Sequence, residues 1–510
     1  MATHSGGTFR KKDRARASAA GKKGAATRWA RFREKRDRRN RPYAGTICDA
    51  LDAAGMTGAS WSAWRALAKA IHALPLTKPE LALFQRQTGR KAPPTAPVAE
   101  AWLIVGRRGG KSRFDALSAL YAGIRRDYRA VLAPGERAEV PVIAADKKQA
   151  RNVMRYLRGL CALPAFAPYV VRALKESIEL TTGATLAVHT ASYRTIRGYT
   201  VAAAVADEAA FWRSEESSDP DVEILDALRP GMSTVPDALL LGSSTPYARR
   251  GVLWQAFERH YGRDDAPVLV WVADTLTMHP DNARLARVVA DAFEADAIAA
   301  ASEYGTDGRV VFRSDVEAFL AREAVHAVTV PERRELPRVA GKRYVAFVDP
   351  SGGSQDAFTL AVAHRDGARG VLDCLRIVQP PFSPDGVVRE FAAVCKSYGL
   401  ASVTGDRYAG EWPRERFRAY GIRYEPSARV KSELYGLLLP LVNAERCELL
   451  DVPALRAQLL GLERRVARGG KDSIDHAPGG HDDLANAAAG ALVLAAGLPQ
   501  ATWRVFKVPV

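Results

Sequence analysis

The sequence predicts an α/β protein with two catalytic-size domains, and three observations carry that prediction. Residues 101–105, Ala-Trp-Leu-Ile-Val, form an apolar strand-like run that enters a glycine-rich turn and then a helical pattern. Further apolar runs at 140–144, 201–206, 239–242 and 268–272 alternate with helical patterns, as in a mainly parallel sheet flanked by helices. From Tyr344 the rhythm changes: strand-like runs at 344–348, 358–364 and 371–378 follow one another across short turns, as in an antiparallel meander.

Composition sets the outer limits. A chain of 510 residues is too long for one core. No apolar run approaches the length of a membrane span, and the basic N-terminus lacks the apolar stretch of a secretory signal. The cysteines (Cys48, Cys161, Cys374, Cys395, Cys447) are scattered, which reads as reduced packing residues rather than zinc ligands or disulfides. Residues 1–42 carry 15 Lys/Arg against three acids, so most of the net charge of +17 lies there. Residues 1–43 therefore read as a basic, disordered arm, with Trp29 and Phe32 among arginines, suited to nucleic acid or a partner protein.

Along the chain, residues 44–90 read as helical, with Trp61, Trp64, Leu67 and Ile71 on one face. They lead into a first domain over 44–330, whose last part, 281–326, also looks helical. A linker at 331–342 contains Pro331 and Pro337, and a second domain covers 343–498 before a tail at 499–510. In that domain a helix at about 385–398 leads to a strand ending at Gly405, and a last helix runs over 482–498.

The turn is Gly106-Arg107-Arg108-Gly109-Gly110-Lys111-Ser112. Strand, glycine-rich turn and helix are the setting of a phosphate loop: backbone N–H groups cradle phosphates, Lys111 reaches the β/γ-phosphates and Ser112 binds Mg²⁺. The consensus places a glycine five residues before Gly110, where this chain has Val105. Arg107 and Arg108 fill the loop, and either could touch the γ-phosphate as an arginine finger in cis.

The run at 201–206 ends in Asp207 and Glu208. In an ATPase of this type the first acid holds Mg²⁺ through water and the second orients and deprotonates the attacking water. Gly242-Ser243-Ser244-Thr245 follows a strand and reads either as a sensor of γ-phosphate loss or as an ordinary hydroxyl-rich turn. Gln85 or Gln87 is a candidate for adenine, and Arg194 and Arg197 for a DNA path.

The second domain carries its own acids. Asp349 ends the first meander strand, Asp406 the fourth strand, and Asp482 and Asp483 open the last helix. Singly each suits a turn, and Asp482 suits a helix cap. Clustered, they repel unless divalent metal neutralises them, and two such cations can activate water for phosphodiester cleavage. An RNase H-like fold distributes its metal-binding acids in this order; Asp356, Glu411 and His481 are secondary candidates.

With these pieces in order, the chain resembles the large terminase subunit of tailed bacteriophages from about residue 80 to 495. The resemblance rests on the loop 106–112, the acidic strand 205–208, the turn 242–245, Asp349, Asp406 and the His-Asp-Asp-Leu-Ala-Asn segment 481–486. It implies a P-loop ATPase domain followed by an RNase H-like nuclease domain, with Arg107 matching the family's cis-acting arginine. It also implies ATP with Mg²⁺, and Mg²⁺ or Mn²⁺ in the nuclease. The implied partners are double-stranded DNA, a small subunit, a portal protein and further copies in a ring, in the host cytoplasm and at the procapsid portal vertex. A cellular helicase-nuclease or recombination enzyme built from the same two folds is the alternative, and a non-catalytic DNA-binding scaffold is a third reading.

Overall fold

The computed structural model describes residues 41–191, 198–212, 220–354, 356–406, 411–465 and 472–497. The basic arm with Trp29 and Phe32, the pair Arg194 and Arg197, and the tail at 499–510 lie outside the described residues. Among the described residues, one compact unit comprises those up to Ala210, Glu223–Pro246 and Val252–Val311; the other comprises those within Phe211–Val222, Tyr247–Gly251 and from Phe312 onward.

The first unit begins with helices α1 (Ile47–Ala53), α2 (Ala59–Ile71) and α3 (Lys78–Thr88). Thr46 and Thr77 start α1 and α3 through capping boxes, each satisfying N–H groups that the first turn cannot pair. Trp61, Trp64, Leu67 and Ile71 are all buried on α2, as their spacing predicts.

Then come β1 (Glu100–Val105), α4 (Lys111–Ile124), β2 (Ala138–Ala144), α5 (Lys147–Cys161), β3 (Val170–Ala173), β4 (Ser177–Leu180) and β5 (Ala184–Thr190). After β6 (Thr200–Val201) and β7 (Ala203–Asp207) come α6 (Pro220–Met232), β8 (Leu239–Ser244), α7 (Gly251–His260) and β9 (Val268–Ala273). Helices α8 (Thr275–Met278), α9 (Ala283–Ala295) and α10 (Ala297–Glu303) complete it.

The strands lie in the order β3-β4-β5-β2-β7-β8-β1-β9, with β6 beside β2. From β5 to β9 every pairing is parallel, and the buried central strands are near-continuous Ala, Val, Leu and Ile, as two covered faces require. In this order β8 separates the loop-bearing β1 from the acidic β7, so the C-terminal ends of all three meet at one edge of the sheet.

The second unit holds β10 (Val316–Ala318), α11 (Arg322–Val328), β11 (Thr329–Val330), β12 (Tyr344–Asp349), β13 (Phe358–Asp366) and β14 (Arg369–Val378). Next are α12 (Pro384–Ser397), β15 (Ser402–Gly405), α13 (Trp412–Ala419), β16 (Arg423–Pro426), α14 (Lys431–Asn443) and β17 (Cys447–Leu450). The last elements are α15 (Pro453–Leu460), β18 (Leu462–Arg465), β19 (Ser473–His476) and α16 (Asp483–Ala496).

The large sheet runs β11-β17-β14-β13-β12-β15-β16. Strands β12–β14 are the antiparallel meander, while β15 pairs parallel to β12 and β16 parallel to β15. Three meander strands followed by parallel strands on the side of the first is the RNase H-like order. A smaller sheet, β10-β18-β19, accompanies it.

Two boundaries differ from the sequence reading. Residues 312–330 belong with the second unit, because β10 pairs with β18 and β11 with β17. The proline-marked stretch expected to be a linker is also bound there, through Leu336 N to Asp373 O (2.8 Å) and Arg333 to Glu448 (2.6 Å). The helical pattern at 281–326 breaks after Glu303 at Gly305 and Gly308, whose positive φ values of 81° and 83° suit glycine.

Helix α16 is almost entirely buried against the meander because Ala and Gly let it approach closely. A Cβ on Gly490 would collide with the Phe347 ring. Gly490→Val should therefore destabilise the protein by about 1–3 kcal/mol, seen as a lower urea midpoint; an unchanged midpoint would mean that this contact is looser than described.

Candidate active sites

In the first unit, β1 delivers the loop and α4 leaves it at Lys111. Gly106 is required by crowding, since a Cβ there would lie 2.7 Å from Tyr304 O. Arg108 (φ 65°) and Gly110 (φ 96°) both take left-handed backbone. Such alternation turns successive N–H groups toward one concavity, which attracts anions. The lead-in helices support the loop directly: Trp64 Nε1 donates to Gly109 O (2.9 Å), and its ring stacks on Phe114 at 4.6 Å. Val105, at the consensus glycine position, is simply the buried last residue of β1.

Lys111 is 5% exposed and its ammonium bridges the three strand ends. It donates to Val105 O (2.9 Å) and Thr245 Oγ1 (2.8 Å) and stands 3.5 Å from Glu208. Glu208 in turn accepts from Ser244 Oγ (3.1 Å) and Thr245 N (3.2 Å). Its φ of 52° is strained backbone for a glutamate, the kind of cost found where position matters chemically. The hydroxyl turn 243–245 is thus bonded to both the loop lysine and the second acid.

Asp207 and Ser112 meet around Gln149. Gln149 Nε2 donates to Asp207 Oδ2 (2.7 Å) and lies 3.2 Å from Ser112 Oγ. Burial, then the neighbouring Glu208 charge, raises the Asp207 carboxyl to about 7. Asp115, fully buried on α4, is also pushed up, first by burial and then by Asp207, and accepts from Ser243 Oγ (2.5 Å). One Asp115 oxygen has no hydrogen-bond partner. A hydroxyl and several desolvated carboxyls converging without enough positive charge suit a hard divalent cation, so the donor set fits Mg²⁺.

Other sequence candidates fall elsewhere. Arg107 is 62% exposed, its guanidinium held by Glu303 Oε2 (3.1 Å) and its amide by Glu303 O (2.5 Å). Gln87 is fully buried; with its amide assigned the orientation its neighbours require, it donates to Gly308 O (2.9 Å) and Val272 O and accepts from Arg86 Nε (3.1 Å), all inside the fold. Gln85 donates to Lys91 O (2.7 Å).

In the second unit, Asp349 is the last residue of β12 and Asp406 follows β15. Phe347 pairs with Thr404 and Val348 with Gly405, so parallel register brings the two acids side by side. Asp483 begins α16, tied to β13 through Thr359 Oγ1 donating to Asp483 O (2.8 Å), and Thr359 is the register partner of Asp349. Asn486, one turn along α16, donates to Asp349 Oδ2 (2.8 Å).

The Asp349 carboxyl is raised to about 7, chiefly by burial; the Asn486 bond opposes this, and the charges of Asp483, Asp406 and Asp482 add to it. Asp483 is raised by burial and by Asp482. These carboxyls feel one another, which fits them to Mg²⁺ or Mn²⁺.

Asp482 is occupied differently. Its Oδ2 accepts from Tyr435 (2.8 Å) and pairs with Lys431 (2.9 Å), which also holds Asp475 (2.8 Å). Its side chain does not cap α16; Gln458 does, accepting from Leu484 N (2.8 Å) and Ala485 N (3.1 Å). Asp475, His476 and Asp482 bring ligand atoms within 4.8 Å of one another, but the Lys431 ammonium already sits among them. Asp356 and His481 both act on the Asp483 carboxyl, whereas Glu411 pairs with Arg414 (2.6 Å).

Sequence reasoning missed Trp64, Asp115, Gln149, Lys431, Gln458 and the Asn486 contact. The Gln149 position carried a signal: it is the third residue of a helix capped by Asp146, close behind a strand of the same sheet.

No protein-family model matches this sequence, and no curated protein is similar enough to count as a relative. Solved structures that it resembles include large terminases. The HK97 bacteriophage large terminase is 16% identical over 78% of this chain and 91% of that one, with a TM-score of 0.34. The large terminase of a thermophilic bacteriophage, in complex with ADP, is 12% identical over 82% and 98%, with a TM-score of 0.35. The large terminase nuclease of the thermophilic phage G20c with bound magnesium is 20% identical over 34% and 94%, with a TM-score of 0.30.

Because Asp349 is held near 7 when folded and titrates near 4 when unfolded, the metal-free chain loses stability as pH rises from about 4 to 7. Asp349→Asn should thus stabilise metal-free protein at pH 8 by about 2 kcal/mol, and the gain should vanish by about pH 4. Urea unfolding in chelator at both pH values measures it; a gain that persists unchanged in acid would contradict the account.

Proposed function

We propose that this chain is an ATP-driven DNA motor with its own metal-dependent nuclease, namely a large terminase subunit of a tailed bacteriophage. The observation that carries the reading is the joining of two chemistries in one chain. Lys111, Ser112, Asp207, Glu208 and Thr245 converge at one sheet edge, and Asp349 and Asp406 stand at strand ends of an RNase H-like sheet with Asp483 on the helix packed against it.

In the first unit the loop N–H groups of 106–112 and Lys111 bind the β- and γ-phosphates. Ser112 and Asp207 would hold Mg²⁺, which supplies positive charge at the phosphate oxygens. Glu208 accepts the proton of the water that attacks the γ-phosphorus, and the bond to the β-phosphate oxygen breaks to leave ADP and phosphate. Ser244 and Thr245, bonded to Glu208, register the loss of the γ-phosphate. Arg107 must leave Glu303 to reach the transferred group, with Arg108 the lesser candidate.

In the second unit Asp349, Asp406 and Asp483 would hold Mg²⁺ or Mn²⁺, which activates water and stabilises the leaving oxygen of a phosphodiester. Asn486 orients Asp349, and Lys431 keeps Asp482 turned aside. The substrate is double-stranded DNA, translocated into a procapsid and cut from a concatemer. A small subunit, a portal protein and further copies of this chain in a ring are the proposed partners, and the host cytoplasm and portal vertex the location. The helicase alternative calls for a second RecA-like lobe, and the meander of the second unit is not one.

Plasmid digestion and ATP turnover on the same preparation test the reading. Lys111→Ala or Glu208→Gln should abolish turnover and spare metal-dependent cutting, whereas Asp349→Ala should do the reverse. Loss of both activities in any one variant would argue against separate sites. Arg107→Ala should lower turnover by about 10³-fold while changing nucleotide affinity little; a change in affinity alone would reassign the arginine.

A further inference from the structure

From this geometry we infer that Gln149 is a positioning residue of the magnesium–nucleotide site, acting through Asp207 and Ser112. The inference rests on the ATPase reading above and extends it to a residue outside the phosphate loop and the acidic strand.

Gln149 is the third residue of α5, whose N-cap Asp146 accepts from Lys148 N (2.7 Å) and Gln149 N (2.8 Å). A glutamine at this position commonly folds back onto its own N-cap. Here the amide reaches across the sheet edge instead, to residues 37 and 58 positions distant in sequence. Ionised, as a cation ligand must be, Asp207 only accepts, so it fixes the amide with nitrogen inward. That nitrogen has two protons, and it touches the two groups that would hold the cation: Asp207 Oδ2 at 2.7 Å and Ser112 Oγ at 3.2 Å. The bond to Asp207 is charge-assisted when the carboxyl is ionised and short enough to fix its rotation.

The neighbouring acids make that fixing useful. The charges of Asp115 and of the adjacent Glu208 both act on the Asp207 carboxyl, so its orientation there needs a fixed hydrogen-bond donor. Gln149 neutralises neither acid, but it aims one oxygen of Asp207 toward Ser112. Outer groups that orient metal ligands commonly change metal affinity by about 10- to 100-fold when removed.

The full chain with a fluorescent N-methylanthraniloyl derivative of non-hydrolysable ATP provides the test, with binding followed as Mg²⁺ is titrated. Gln149→Met keeps the length and removes the hydrogen bonds; it should raise the Mg²⁺ concentration for half-maximal binding about 10-fold. Nucleotide binding in EDTA should stay as in the wild type. Gln149→Glu places a further carboxylate beside the cation and should lower the half-maximal Mg²⁺ concentration relative to Gln149→Met. Melting in EDTA checks that both variants are folded.

Wild-type and Gln149→Met curves with the same Mg²⁺ midpoint would overturn the inference and leave the ATPase reading standing. So would a Gln149→Met defect of equal size in EDTA, which marks a structural role. Absence of any nucleotide binding by the wild type would overturn both.

Discussion

The ammonium of Lys111 is nearly sealed from solvent, and its partners come from three different strand ends: Val105 of β1, Thr245 beyond β8 and Glu208 beyond β7. A buried cation is costly unless hydrogen-bonded and paired. These contacts exist only because β8 lies between β1 and β7 in a parallel sheet, with all three ending at the same edge. The strained φ of Glu208, the bonds from Ser244 and Thr245, and the Trp64 prop under the loop all serve that one meeting point.

The two units share an electrostatic condition although their folds differ. Each gathers carboxyls where water is scarce, and in each the central aspartate, Asp207 or Asp349, is held near 7 by burial. An amide from a neighbouring helix, Gln149 or Asn486, donates to that aspartate. Amides satisfy an acceptor without adding net charge, so the deficit of positive charge remains. At Asp482, by contrast, the protein fills the deficit itself, through Lys431.

Much of this was legible in the sequence where chemistry lies in short contiguous strings. The loop 106–112, Asp207-Glu208, and the strand ends at Asp349 and Asp406 needed only apolar run lengths and turn residues. The pairing that sets Asp482 apart from Asp483 was not legible, because its partners Lys431 and Tyr435 lie some 50 residues earlier in the chain. Gln149, Trp64 and Asp115 were hidden for the same reason: each reads locally as an ordinary helix residue. The short strands β10, β11, β18 and β19 have too few residues for a periodic signal, and so the place of residues 312–330 in the second unit was hidden as well.

The chain visits the second unit twice before it finally enters at Phe312, once just after Glu208 and once just after Thr245 and Pro246. The second visit supplies Tyr247 and Arg250, which bind Glu463, a carboxylate with no solvent exposure on β18; the Tyr247 bond is 2.6 Å. A recombinant fragment begun at residue 312 would strip Glu463 of both and leave it Arg465, at the longer distance of 3.8 Å. A single cut of the gene at residue 312 therefore separates Glu463 from two of its partners. The gene's modules are interleaved like two texts written on alternate lines, and any truncation that treats them as consecutive will inherit a buried charge.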